Sequence, residues 1–117
     1  MAKHNTIGKR GEQLAEEWLL NNGYTLLHKN WRHIHLEVDF IVCKNDTLYF
    51  FEVKTRTTTT FGNPEESVTT KKMKNLKEAS AEYQYQYPQW KWIQFNVLAI
   101  LIKNKQITYW LNEDVYL

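Results

Sequence analysis

The sequence predicts an α/β fold: one central mixed β-sheet flanked by α-helices, in the order α-β-β-β-α-β-β. Three observations carry that expectation. Helical periodicity appears twice, on either side of a strand-rich middle. Two strand-like runs meet at Asn45-Asp46, a pair that tolerates the left-handed backbone of a tight turn. "WIQFNVLAILI" is too apolar at its centre to face water on either side, as befits a strand covered on both faces. The 117 residues fit one domain, 1–117, with a single modest core.

In the first helix Leu14, Ala15, Trp18 and Leu19 share one face, while Glu12, Gln13, Glu16 and Glu17 fall largely elsewhere. Gly23, after "LLNN", supplies a left-handed C-cap. "YTLLHKNW" reads as a strand leading through "RHIH" into the hairpin "EVDFIVCKNDTLYFFEVK", Glu37 to Lys54. "TRTTTTFGNPEES" reads as a loop, although its four threonines also suit a strand extension. The second helix follows from Met73, Leu76, Ser80, Tyr83 and Tyr87, with Thr69 or Thr70 as its cap and Pro88 as its stop. "QITYWL" pairs back on the last apolar strand through "KNK".

Composition excludes several classes. A single cysteine, Cys43, allows no intrachain disulfide, and with no base or helix start nearby it is a poor nucleophile. "MAKHNTIGKRGEQ" has no apolar signal region, and the longest aliphatic run, "VLAILI", is too short to span a bilayer. A cytoplasmic protein with no membrane partner is expected. Net charge is only +2, so no whole-molecule field announces a polyanion. Local clusters matter more: Lys9 with Arg10, and Lys71, Lys72, Lys74 and Lys77. By themselves they read as solvated helix faces.

The hairpin raises the functional question. Its turn pairs Lys44 with Thr47, and the same register sets Asp39 opposite Glu52 and Glu37 opposite Lys54. All four charges then share a face with Ile41, Cys43, Leu48 and Phe50, which want burial. Opposed carboxylates repel, and Asp is a poor strand former, so something must compensate. A divalent cation does so, because Mg²⁺ takes oxygen from one or two carboxylates. A surface ion-pair lattice is the competing explanation.

An acid on one strand followed by Glu-x-Lys on the next is similar to the PD-(D/E)xK pattern of restriction-endonuclease-like nucleases. Taken with "GKRGEQLAEEWL", "LEVDFIV", "YFFEVKTR" and "FGNPEESVTTKK", the chain resembles the YraN-like family (uncharacterised protein family 0102), itself related in pattern to archaeal Holliday junction resolvases. The likeness runs from about Ile7 to Tyr83. One departure is Leu36, where the family usually has Gly before Glu-Ile-Asp. The resemblance implies a restriction-endonuclease-like fold and a Mg²⁺- or Mn²⁺-dependent endodeoxyribonuclease that is structure-selective and resolvase-like. It implies Asp39 and Glu52 as metal ligands, helped by a main-chain carbonyl near Val53, with Lys54 orienting or deprotonating the attacking water. Glu12 matches the family's N-terminal acid, binding metal directly or through water; a solvent-facing first-turn glutamate explains it equally well. Glu37 is either a further acid or a salt-bridge partner of Lys54.

Substrate holding would fall to Lys9, Arg10, Arg32, Arg56, Lys71 and Lys72, acting on phosphates without reading bases. The partner implied is DNA, branched or otherwise structured, with a homodimer built on Trp90, Trp92 and Trp110. His33 and His35 lack an evident third zinc ligand and read as local packing. Two competing functions stay open: a nucleic-acid-binding module retaining the fold without catalysis, and a scaffold whose acids bind metal only for stability.

Overall fold

The computed structural model describes residues 2–57 and 70–113, with side chains from Ile7 in the first helix and from Lys71 in the second. The element order is the expected one: α1 (Ala2–Asn21), β1 (Thr25–His33), β2 (Leu36–Lys44), β3 (Thr47–Arg56), α2 (Thr70–Gln86), β4 (Trp92–Lys103) and β5 (Gln106–Asn112). The strands lie in the sheet in sequence order, β1-β2-β3-β4-β5. Among the described strands only β3 and β4 run parallel, because α2 provides the crossover between them. The expected hairpin is therefore β2–β3, with β3 at the centre of the sheet. The stretch 58–69 and the Thr69 cap lie outside the described residues.

Local chemistry explains the boundaries. Gly23 sits at φ +87°, and the bonds Tyr24 N–H to Leu19 O (3.0 Å) and Gly23 N–H to Leu20 O (3.2 Å) close α1 in a Schellman cap. Asn45 (φ 56°) turns the β2–β3 hairpin, and Asn104 (φ 51°) with Lys105 (φ 65°) turns β4 into β5. β3 continues to Arg56, two residues past the Lys54 end of the quoted hairpin.

Each face of the sheet carries a helix and its own core cluster. On the α1 side Leu14, Ala15 and Leu19 pack with Tyr24, Phe40, Val42, Phe51, Leu98 and Ile100. On the α2 side Met73, Leu76, Ala79 and Tyr83 pack with Trp31, Val38, Ile41, Leu48 and Phe50. Trp90 packs partly against this second cluster, whereas Trp92 is exposed. No helix among the described residues is long and apolar enough to cross a membrane.

Strict alternation fails where β1 bulges between Leu26 and His28, and again in β2 between Val38 and Phe40. Val38 belongs to the α2-side cluster and Phe40 to the α1-side cluster, although a regular strand would put both on one face. The neighbouring strand breaks at the same level: Trp31 packs toward α2, while Lys29 pairs with Glu16 of α1 at 3.0 Å. Between the pairs Lys29–Phe40 and Trp31–Val38 lie Asn30 and Asp39. Asn30 adopts φ 54°, a left-handed conformation that Asn tolerates better than most residues. This kink delivers Asp39 out of the regular ladder.

Candidate metal and nucleic-acid site

The β2–β3 register is the one the turn chemistry predicts, from Lys44–Thr47 to Phe40–Phe51. Pairing stops there, one step short of Asp39 and Glu52. Asp39 Oδ2 instead accepts the Val53 backbone N–H at 2.8 Å. A side chain thus satisfies a main-chain donor where the ladder has ended, and its carboxyl is fixed beside β3.

Glu52 is buried at 7% exposure and takes a hydrogen bond and ion pair from Lys72 Nζ of α2. Lys54 Nζ lies 3.8 Å from the same oxygen, Glu52 Oε1. Two acids and two lysines therefore meet at the open end of the hairpin. Burial, then the neighbouring Glu52 charge, raise the Asp39 carboxyl to about 6, against the opposing pull of the Val53 bond and both lysines. Burial and the adjacent Lys72 lower Lys54 to about 8, partly offset by the acids. Burial also pulls Lys72 down, but its bonds to Glu52 and Lys54 outweigh that and raise it.

Two hollows flank the acids. A cleft of about 650 Å³ includes Lys9, Glu12, Asn30, Asp39, Val53 and Arg56 in its walls. A smaller one of about 170 Å³ is walled by His35, Glu37, Asp39, Glu52 and Lys72. Asp39 borders both. Glu12 reaches the larger cleft because α1 approaches β3 closely at Gly11: a Cβ there would collide with Thr55 Oγ1 and sit 2.9 Å from Thr55 Cβ. Its carboxylate accepts a hydrogen bond from Asn30 Nδ2, so the kink residue also holds the helix acid.

Not every sequence candidate converges. Glu37 does not pair with Lys54; its carboxylate meets Arg32 at 3.2 Å, because the β2–β3 pairing ends before that level. Arg32 is thereby occupied, with 72% of its side chain exposed. Lys9 and Arg56 border the larger cleft, Arg10 does not, and Lys71 is exposed on α2. Lys72, grouped by sequence with the phosphate-holding residues, lies among the acids themselves. Its signal was present, since Lys72 precedes Leu76 and Ser80 at helical spacing, at the head of the buried stripe. Asn30 was missed: an Asn inside a strand pattern that tolerates positive φ was the available clue. His33 and His35 lie 3.6 Å from Glu82 and 3.9 Å from Glu78, and among the described residues no cluster of three or more His, Cys, Asp or Glu forms a metal cage.

Comparison with known proteins agrees across most of the chain. The sequence profile of uncharacterised protein family UPF0102 matches residues 11–100. A UPF0102 protein of Christiangramia forsetii is 42% identical over 105 residues, covering 90% of this chain and 87% of the relative. One from Bacteroides thetaiotaomicron is 36% identical over 104 residues, covering 89% and 86%. One from Flavobacterium psychrophilum is 35% identical over 116 residues, covering 99% and 98%.

Proposed function

Because this chain belongs to uncharacterised protein family UPF0102, whose name carries no activity, we propose its function from the site: a metal-dependent, structure-selective endonuclease that hydrolyses DNA phosphodiesters. The observation that supports this reading is the meeting of Asp39, Glu52 and Lys54 where the β2–β3 ladder stops. The PD-(D/E)xK pattern resembled by the sequence has the same three residue types in the same order.

The donor set fits Mg²⁺ or Mn²⁺. Asp39 keeps one carboxylate oxygen beyond the one bonded to Val53, Glu52 is buried beside it, and burial followed by the Glu52 charge raises the Asp39 carboxyl. Two hard oxygen donors suit an ion that retains much of its water, and no full protein cage is needed. Such an ion, when bound, neutralises phosphate charge and acidifies water.

The chain's own residues do the rest. Lys54, with a pKa of about 8, exchanges a proton near neutrality, the property that orienting or deprotonating an attacking water calls for. In its ammonium form it stabilises growing negative charge on the phosphate. Lys9 and Arg56 offer cationic contacts along the larger cleft, suited to a sugar–phosphate backbone and indifferent to base sequence. Glu12, fixed by Asn30, faces that cleft as a further acid near Asp39.

The test separates binding from cleavage. Wild type should cut a labelled branched DNA with Mg²⁺ or Mn²⁺, and Lys54→Ala should lose on the order of 10²-fold or more in rate. Charge reversal at Lys9 and Arg56 should weaken binding and reduce its salt slope by about one ion per lost contact. DNA binding without cleavage by wild type would establish a non-catalytic binding module instead.

A further inference from the structure

We infer that Lys72 is the site's resident cation: its ammonium holds Glu52 in the place a divalent ion would take, so Lys72–Glu52 pairing and metal loading exclude one another. This deepens the nuclease reading and rests on it for the identity of the ion.

Glu52 is nearly inaccessible, at 7% exposure, and a buried carboxylate requires a partner. In this structure that partner is Lys72 Nζ, on the same Oε1 atom that faces Lys54 at 3.8 Å. A divalent ion drawing on that oxygen meets the positive charge of both side chains at close range. One of them must leave, and geometry selects Lys72. Lys54 is the more enclosed, with 14% of its side chain exposed against 43% for Lys72. Lys72 also projects from a helix into the smaller hollow, and its long unbranched stem lets the ammonium swing to solvent without moving α2. Lys54 belongs to the central strand, paired on β4 at Ala99, and has no comparable freedom.

The consequence is a metal site of deliberately low affinity. A cation must first displace an ion pair that is itself charge-assisted and partly shielded. Removing that competitor should tighten metal binding even though it removes a side chain from the site. An ordinary supporting residue behaves in the opposite way, since its loss loosens the ligands it orients.

The experiment is Mn²⁺ titration of the DNA-free protein by calorimetry, comparing wild type with Lys72→Met, Lys72→Gln, Lys71→Met and Asp39→Asn. Lys72→Met and Lys72→Gln should bind Mn²⁺ about tenfold more tightly than wild type, the equivalent of one charge-assisted hydrogen bond removed from competition. Lys71→Met makes the same change in net charge on the exposed neighbour and should shift affinity less than about twofold, given screening at the surface. Both Lys72 variants replace a side chain at the edge of the fold, and far-ultraviolet circular dichroism checks that each is folded. Unchanged or weaker Mn²⁺ binding in folded Lys72 variants, with binding still lost in Asp39→Asn, overturns the displacement while leaving the metal site standing. Equal tightening by Lys71→Met reduces the effect to general repulsion and overturns it as well. Absence of Mn²⁺ binding in every protein removes the metal reading and this inference together.

Discussion

At the Asn45 end of the β2–β3 hairpin the strands pair residue by residue, from Lys44–Thr47 to Phe40–Phe51, and their apolar side chains are covered by α1 or α2. At the other end the pairing has stopped, and Asp39, Glu52, Lys54 and Lys72 face one another in a largely buried setting. The same two strands thus build core at one end and concentrate charge at the other. The difference teaches where stability and chemistry reside: hydrophobic burial holds the paired end, and that rigidity keeps the charged end from relaxing apart.

The sharpest way to break this comparison is to hollow out the paired end. Phe50 is fully buried, with ring centroids 5.8 Å from Tyr83 and 5.9 Å from Phe95. Phe50→Ala should cost about 3–5 kcal/mol in urea unfolding. A loss under about 1 kcal/mol would mean that the paired end is not what holds the hairpin.

The junction between the two ends offers a finer test. Asn30→Ala forces a β-carbon residue without a compensating side chain into φ 54° and should lose about 1–2 kcal/mol. Asn30→Gly keeps that backbone while deleting the bond to Glu12, so it should lose less. Equal losses in chemical denaturation would assign the kink's stability to the side chain rather than to the backbone.

The smallest effect belongs to the exposed pair Arg32–Glu37, with 72% and 62% of the side chains accessible. Glu37→Gln should change stability by less than about 1 kcal/mol, and less still at high salt. A larger, salt-resistant drop in melting temperature would place Glu37 with the buried charges.

The paired end was legible from sequence because its rules are local. An Asn-Asp turn and a period of two determine register, and both hold from Phe40 to Phe51. The charged end was legible in residue type but not in arrangement. Alternation assumes a continuous ladder, and Asp39 stands where the ladder ends and the face of β2 reverses. Extrapolating register past that point put Glu37 opposite Lys54, whereas the kink at Asn30 leaves it with Arg32. Lys71 and Lys72 read alike as neighbours in a lysine cluster. Consecutive helical positions are roughly 100° apart, and it is the four-residue spacing of Lys72 to the buried Leu76 and Ser80 that sets it apart from Lys71, which faces solvent. Glu12 depends on a long-range approach, the packing of Gly11 against Thr55, which no local pattern announces.

The central claim is that Asp39 is a carboxylate held in an unfavourable setting when no divalent ion is bound, buried beside Glu52 and only partly relieved by the two lysines. The direct measurement is the thermal stability of Asp39→Asn against wild type across pH, in chelator and without DNA. In the folded protein Asp39 retains its proton up to about 6, whereas an unperturbed aspartate releases it near 3.8. Its contribution to folding is therefore full below the lower value and is lost as pH rises through the higher one. Asparagine undergoes no such loss and can still accept the Val53 N–H. Asp39→Asn should thus be more stable than wild type at about pH 7.5, by on the order of 2 kcal/mol, with the difference closing in acid near the unperturbed value. A variant no more stable than wild type at neutral pH would contradict the account, because Asp39 would then be a satisfied structural acid rather than a carboxylate held for a cation.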